Sequence, residues 1–190
     1  EIKKENALAA YNAADENTKK VLLSLFPELE EEIRPKDITE RVKTFGDACR
    51  ELGESHLFVL HYRFNHSKDS CWTDKVYAAD FEAYLKLRII CAALNEGWEP
   101  QFTEGEERWY PWFTLWAKEE LSGKSDEWKS DRHAISMCEY TCDYAGYTFA
   151  YSCRVSSDAA GNVSSRICFK SEALATYCGK QFIRLWADFN

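Results

Sequence analysis

The sequence predicts an α+β fold: N-terminal helices, a central buried helix at about 76–95, a three- to four-stranded antiparallel meander and a closing C-terminal helix. Three observations carry that expectation. Apolar residues recur at helical spacing through the first half, the period changes to two from Arg108, and helical spacing returns after Ser171. At 190 residues and 45% hydrophobic, the chain suits one compact domain, with a helical region over 1–53 and an α+β region over 54–190. A chain of this length buries roughly 70% of its unfolded surface and needs neither a disulfide nor a metal to fold.

Residues 5–14 and 17–33 carry the first helices. The second presents Val21, Leu22, Leu25, Phe26 and Leu29 as a stripe opposite its charges. Asn17 or Thr18 is its expected cap, and Pro27 ends or kinks it. Glu28-Leu29-Glu30-Glu31-Glu32 reads as a solvated face. Asp37 to Leu52 gives one or two short helices, the last starting on a Thr44 cap and stopping at Gly53. His56 to Tyr62 fits either a strand or a buried turn of helix, and Asn65 to Thr73 is loop-like. The strongest helix runs from Val76 to Asn95. Phe81, Leu85, Ile89 and Ala93 form one stripe and Leu87, Ile90 and Leu94 another, so it contacts neighbours on two sides. Gly97 stops it.

Arg108 to Lys118 reads as a strand that Pro111 pushes towards an edge or a bulge. Glu119 to Arg132 is a charged loop or short helix. Ala134–Tyr144, Tyr147–Val155 and Val163–Lys170 are further strands, with Gly146 and Asp158 to Asn162 as turns. On the middle strand Phe149, Tyr151, Cys153 and Val155 share a face. Ser171 caps a last helix carrying Leu174, Cys178, Phe182, Leu185 and Phe189.

The densest chemistry lies in Trp109-Tyr110-Pro111-Trp112-Phe113-Thr114-Leu115-Trp116, six of whose eight residues are aromatic or prolyl, with Trp98 and Phe102 just upstream. Each large ring removes ~150–250 Å² from water, worth roughly 4–6 kcal/mol at most. In a regular strand Trp109, Pro111, Phe113 and Leu115 point one way, and Tyr110, Trp112, Thr114 and Trp116 the other. One set packs on the central helix. The other is either covered by a second layer or left as a platform that stacks nucleobases, sugars or peptide side chains. The candidate ligand-binding residues are therefore Trp98, Trp109, Tyr110, Trp112 and Trp116, with Arg108 and Arg166 supplying local positive charge.

Net charge is −8 with pI about 5.1, and no run of five basic residues occurs. Duplex DNA and anionic membranes are disfavoured as partners, because both need clustered cations. No apolar stretch is long enough to span a bilayer, and Glu1 to Asn6 lacks the apolar region of a signal peptide. The eight cysteines, several at core-facing positions such as Cys91 and Cys178, read as reduced buried thiols. A cross-strand disulfide within 138–168 is the main alternative. Cys138-x-x-x-Cys142 with His133 has soft ligands but the wrong spacing, since strand residues four apart sit ~13 Å from each other. Cys71 with His61 and His66 has no orienting group that would make it a nucleophile, and Glu104, Glu106 and Glu107 read as a solvated acidic loop. No catalytic residue, metal or cofactor is expected.

Three blocks carry a resemblance. They are Thr44-Phe45-Gly46-Asp47-Ala48-Cys49-Arg50-Glu51-Leu52-Gly53, then Ala83 to Pro100 running on to Trp109-Tyr110-Pro111-Trp112-Phe113, and Ser165 to Phe182. In this order they resemble a group of uncharacterised proteins from gut Bacteroidetes, their prophages and their phages. The segments at 54–76 and 119–145 fit that pattern poorly. The group has no activity to transfer. What the resemblance implies is context: a bacterial or phage protein made in the host cytoplasm, with a role during infection or a place in the virion. Combined with the aromatic strand, this gives an expected non-enzymatic accessory protein that binds or sequesters a host protein or a small nucleotide-like ligand. A single-stranded nucleic-acid binder and a virion-associated structural protein are the alternatives.

Overall fold

A computed structural model describes residues 3–66, 78–101, 103–136, 144–156 and 166–190. The chain divides into two units, Glu1–Arg41 and Val42–Asn190.

The first unit is helical, with α1 (Lys4–Ala13), α2 (Glu16–Leu25), α3 (Leu29–Ile33) and α4 (Ile38–Arg41). The cap of α2 is Asp15, whose carboxylate accepts from the Thr18 N–H at 2.8 Å. Asn17 and Thr18, the expected caps, lie inside the first turn because Asp15 already offers an acceptor at the right offset. Phe26, just before Pro27, leaves the helical region and ends α2. Asp37 opens α4 by accepting from both the N–H and the hydroxyl of Thr39, each at 2.8 Å. Those hydrogen bonds hold its carboxyl below the ordinary aspartate range.

The second unit begins with α5 (Phe45–Leu52), which packs on α7 (Ala78–Leu94). Although it falls within the region 1–53 of the sequence reading, it belongs to this unit. Thr44 and Asp47 form a capping box. Asp47 N donates to Thr44 Oγ1 at 3.1 Å and Thr44 N to the Asp47 carboxylate at 2.8 Å. Gly53 ends the helix at φ 85°, a left-handed value that suits glycine. We expect Thr44→Ala to lower stability by about 1 kcal/mol in denaturant unfolding, and Thr44→Ser to restore most of it.

The segment that fitted strand or helix is helical. It is α6 (Leu57–Asn65), capped by His56 Nδ1, which accepts from Phe58 N at 3.2 Å. Buried Val59 anchors it, while Leu57, Leu60 and Phe64 stay exposed. Helix α7 is the central helix, with Leu87, Ile89, Ile90, Ala93 and Leu94 fully buried. It contacts α5, α6 and the two C-terminal helices, as its two stripes require.

Three antiparallel strands follow among the described residues: β1 (Glu107–Ala117), β2 (Ile135–Ser136) and β3 (Tyr144–Ser156). Their order is β1-β3-β2, with β3 in the middle. That differs from the sequential order of a meander. Between β1 and β2 the chain makes two short helices, α8 (Lys118–Ser122) and α9 (Asp126–Asp131), so β2 enters beyond β3 rather than beside β1. Gly146, expected in a turn, sits inside β3 opposite Trp116 and Ser136. A Cβ there would come within 2.7 Å of Leu121 Cδ2 and 3.0 Å of Trp116 Cβ, so glycine eases the close approach of α8. Of the expected strand 163–170, the described part makes a single bridge, Phe169 to Trp109. Residues 137–143 and the expected turn at Asp158 to Asn162 lie outside the described residues.

The register of β1 on β3 steps from Trp112↔Tyr151 to Phe113↔Phe149, leaving Ala150 as a bulge. One extra residue reverses the alternation, so Phe149 and Tyr151 do not share a face as a regular strand would have it. The closing helix is also broken, into α10 (Glu172–Gln181) and α11 (Ile183–Phe189), with Phe182 between them. Ser171 caps α10 as expected, accepting from Leu174 N. Both helices lie on one face of the sheet. Pro111 and Phe149 meet Gly179 of α10, Ser152 shares a hydrogen bond with Thr176 at 2.9 Å, and Phe113 stacks beside Trp186 of α11 at 5.5 Å.

Candidate functional site

The covered face of the sheet is an aromatic core. Phe113 stacks on Tyr147 at 4.8 Å and meets Phe149 edge-on at 6.3 Å, and Asn190 Nδ2 donates to the Tyr147 hydroxyl at 2.6 Å. The opposite face is different. Trp112 and Tyr151 lie side by side across β1 and β3, their planes 10° apart and their centroids 6.2 Å apart. They remain 48% and 56% exposed. Further along, Trp116 donates its indole N–H to Thr148 at 2.9 Å and meets Trp128 of α9 edge-on at 5.3 Å. Lys124 lies 4.8 Å over the Trp116 ring and Arg132 lies 5.1 Å over that of Trp128. These cations and the indole hydrogen bond hold the second pair in place.

The residues singled out from sequence separate into three groups. Trp112 is presented to solvent and Trp116 is half-buried beside it. Arg108 and Tyr110 are not available as ligand-binding groups: Arg108 is 1% exposed and Tyr110 is buried beside Cys168. Trp109 is half-buried, its backbone paired in both directions with Phe169. Where the 166–170 segment joins this edge of β1, Arg108 and Tyr110 are interior, which strand periodicity alone does not reveal. Trp98 and Arg166 form the third group. They line a cleft with Phe58, Arg88 and Asn95 that shares no residue with the sheet face. Phe102 lies outside the described residues.

Tyr151 is the residue that sequence reasoning missed. Its signal was erased by the bulge at Ala150, and Ala-Tyr in a strand gives no warning of one. Arg88 was also missed, because it sits among the apolar stripes of α7.

Cys49, Cys91, Cys153, Cys168 and Cys178 are free thiols, and Cys71, Cys138 and Cys142 lie outside the described residues. Burial pushes the Cys168 thiol up to about 11 and that of Cys178 to about 12, and drives Cys91 well above the ordinary range. These three stay protonated at neutral pH, which deprives them of nucleophilic and metal-binding character. Among the described residues no group of His, Cys, Asp and Glu is placed to hold a metal ion. The raised values also set an alkaline limit. Between the unfolded thiol value near 8.5 and these folded values, the unfolded chain releases protons that the folded chain keeps, so stability falls as pH rises. Stability should be nearly intact at pH 8 and decline above pH 9, by on the order of 1 kcal/mol per pH unit for each of the three thiols. Reversible unfolding followed from pH 7 to 11 under reducing conditions measures it; a flat profile contradicts neutral buried thiols.

No described helix is long and apolar enough to cross a membrane. Comparison with family models, with curated proteins and with solved structures found no match.

Proposed function

We propose that this is a non-enzymatic interaction protein that recognises another protein through the outer sheet face centred on Trp112 and Tyr151. One observation carries the reading: two large rings with nearly parallel planes are left half-exposed on a face whose opposite side is packed against α10 and α11. Burying such a pair against a partner removes much apolar area for little lost side-chain entropy. The preferred target is an extended peptide segment whose proline or aromatic side chains lie flat on the pair.

Charge argues for a protein over a nucleic acid. Around the face, Lys118, Lys124, Lys129 and Arg132 are matched by Glu119, Glu120, Asp126, Glu127 and Asp131, and the whole chain carries −8. Phosphate-backbone affinity needs a net positive surface, and these four cations stand among five acids. The resemblance of three sequence blocks to phage and prophage proteins makes a host protein the natural target, sequestered or blocked during infection.

Selection from a displayed random-peptide library tests the reading. We expect enriched sequences rich in proline and aromatics, with binding weakened about tenfold or more by Trp112→Ala and by Tyr151→Ala. Peptides that bind both variants unchanged contradict it. So does tight, salt-sensitive retention of oligo-dT instead, which assigns the platform to single strands. Stoichiometric co-purification with particles, with the face buried in them, assigns it to the virion.

A further inference from the structure

We infer that the cleft between α6, the C-terminal half of α7 and the turn after it is a second binding site, for a small planar molecule that carries a carboxylate or phosphate. The cleft holds about 110 Å³ and is lined by Phe58, Arg88, Asn95, Trp98, Glu99 and Arg166, among others. One water takes up ~10–15 Å³ measured this way, so the space suits a single ring or a phosphate with a short stem, and not an oligomer.

The chemistry of the walls points to the ligand class. The Arg88 guanidinium lies 4.0 Å over the Phe58 ring and 5.7 Å from that of Tyr84. Stacking fixes the plane of the guanidinium and occupies its face, but leaves its N–H edges for an acceptor in that plane. Among the described residues those edges donate no hydrogen bond. A half-buried, pre-oriented fork of this kind matches the two oxygens of a carboxylate or phosphate. Arg166 stands exposed at the same cleft and adds a second positive charge. Trp98 supplies an aromatic wall against which a planar group can lie, and Glu99 an acceptor for a ligand N–H or O–H.

The floor is rigid. Asn95 donates to Cys168 O at 2.8 Å and accepts from Lys170 N at 3.0 Å, and the Cys91 thiol donates to the same carbonyl at 2.8 Å. These bonds tie the 166–170 segment, and with it Arg166, to α7. A preformed site loses little entropy on binding.

Titration of the intact protein with benzoate, inorganic phosphate and phenyl phosphate, read by tryptophan fluorescence and calorimetry, tests the site. We expect saturable binding of benzoate or of phenyl phosphate below about 1 mM, weakened about tenfold or more by Arg88→Met, which keeps the stem over Phe58 but loses the fork. Arg166→Met, at the exposed side of the cleft, should weaken the same ligand as well. Preference for phosphate-bearing probes over benzoate identifies a phosphoryl ligand, and the reverse a carboxylate. Binding should be untouched by Trp112→Ala, which separates this site from the sheet face. No binding of any probe up to about 10 mM, or binding that both arginine variants retain in full, overturns the inference.

Discussion

Asn95→Ala should destabilise the protein by about 2–4 kcal/mol, a large effect for one exchange of a small side chain. The amide is buried at the C-terminal end of α7 and bridges a carbonyl and an N–H of the 168–170 segment. Alanine removes both bonds and leaves Lys170 N without the Asn95 oxygen in a site half-closed to water. Cys168 O keeps only the weak thiol donor of Cys91. The same segment bridges β1 through Trp109 and Phe169, so its release should also loosen the edge of the sheet. Denaturant unfolding measures the loss, and hydrogen exchange at Trp109 and Phe169 locates it. Asn95→Asp is the informative companion, because it keeps the acceptor for Lys170 N but turns a carboxylate towards the Cys168 carbonyl. A cost below about 0.5 kcal/mol for Asn95→Ala contradicts the clamp.

Gly179→Val should cost about 3 kcal/mol or more, and Gly179→Ala about 1–3 kcal/mol. In an open helix the alanine exchange would instead stabilise by about 1 kcal/mol, so the sign of the effect is diagnostic. A Cβ at this position would lie 2.7 Å from Pro111 Cβ and 2.8 Å from Phe149 Cδ2. Neither atom can retreat, because Pro111 is fixed in β1 and the Phe149 ring is wedged beside Phe113. The glycine is what lets α10 lie directly on the sheet. Its substitution pries the helix from the strands and is read as a fall in the thermal midpoint. A rise in that midpoint would show that α10 is not seated on Pro111.

Elements whose cause is local were legible in the sequence. The Thr44 capping box, the Ser171 cap, the Gly53 and Gly97 stops and the apolar stripes of α7 all depend on residues a few positions apart. So does the change to period two that announces β1. Where a distant partner decides, the sequence was silent or misleading. Among the described residues no strand pairs with His56 to Tyr62, most of which lies in α6. The strand order follows from where α8 and α9 deliver the chain, which periodicity does not encode. The bulge at Ala150 turned Tyr151 outward, against the alternation that grouped it with Phe149. For the candidate sites the pattern is the same. Strand alternation grouped Trp112 with Tyr110, and the structure leaves Trp112 exposed, yet Arg108 and Tyr110, on the same nominal face, are buried where 166–170 joins the edge of β1. Trp98 and Arg166 were chosen for their chemistry alone, and folding brings them to one cleft with Arg88, a residue 78 positions before Arg166 and hidden in a helix.

One property underlies the proposed recognition role: the sheet hides the rings of one face and leaves Trp112 bare on the other. Fluorine NMR of the protein labelled with 5-fluorotryptophan, with resonances assigned by single Trp→Phe exchanges, reads this for each indole in turn. A soluble paramagnetic nitroxide should broaden the Trp112 signal strongly and leave that of Trp186, which is 4% exposed, sharp. Equal protection of Trp112 and Trp186 in the isolated protein would mean that its own chain covers the outer rings, and there would be no face left for a partner to read.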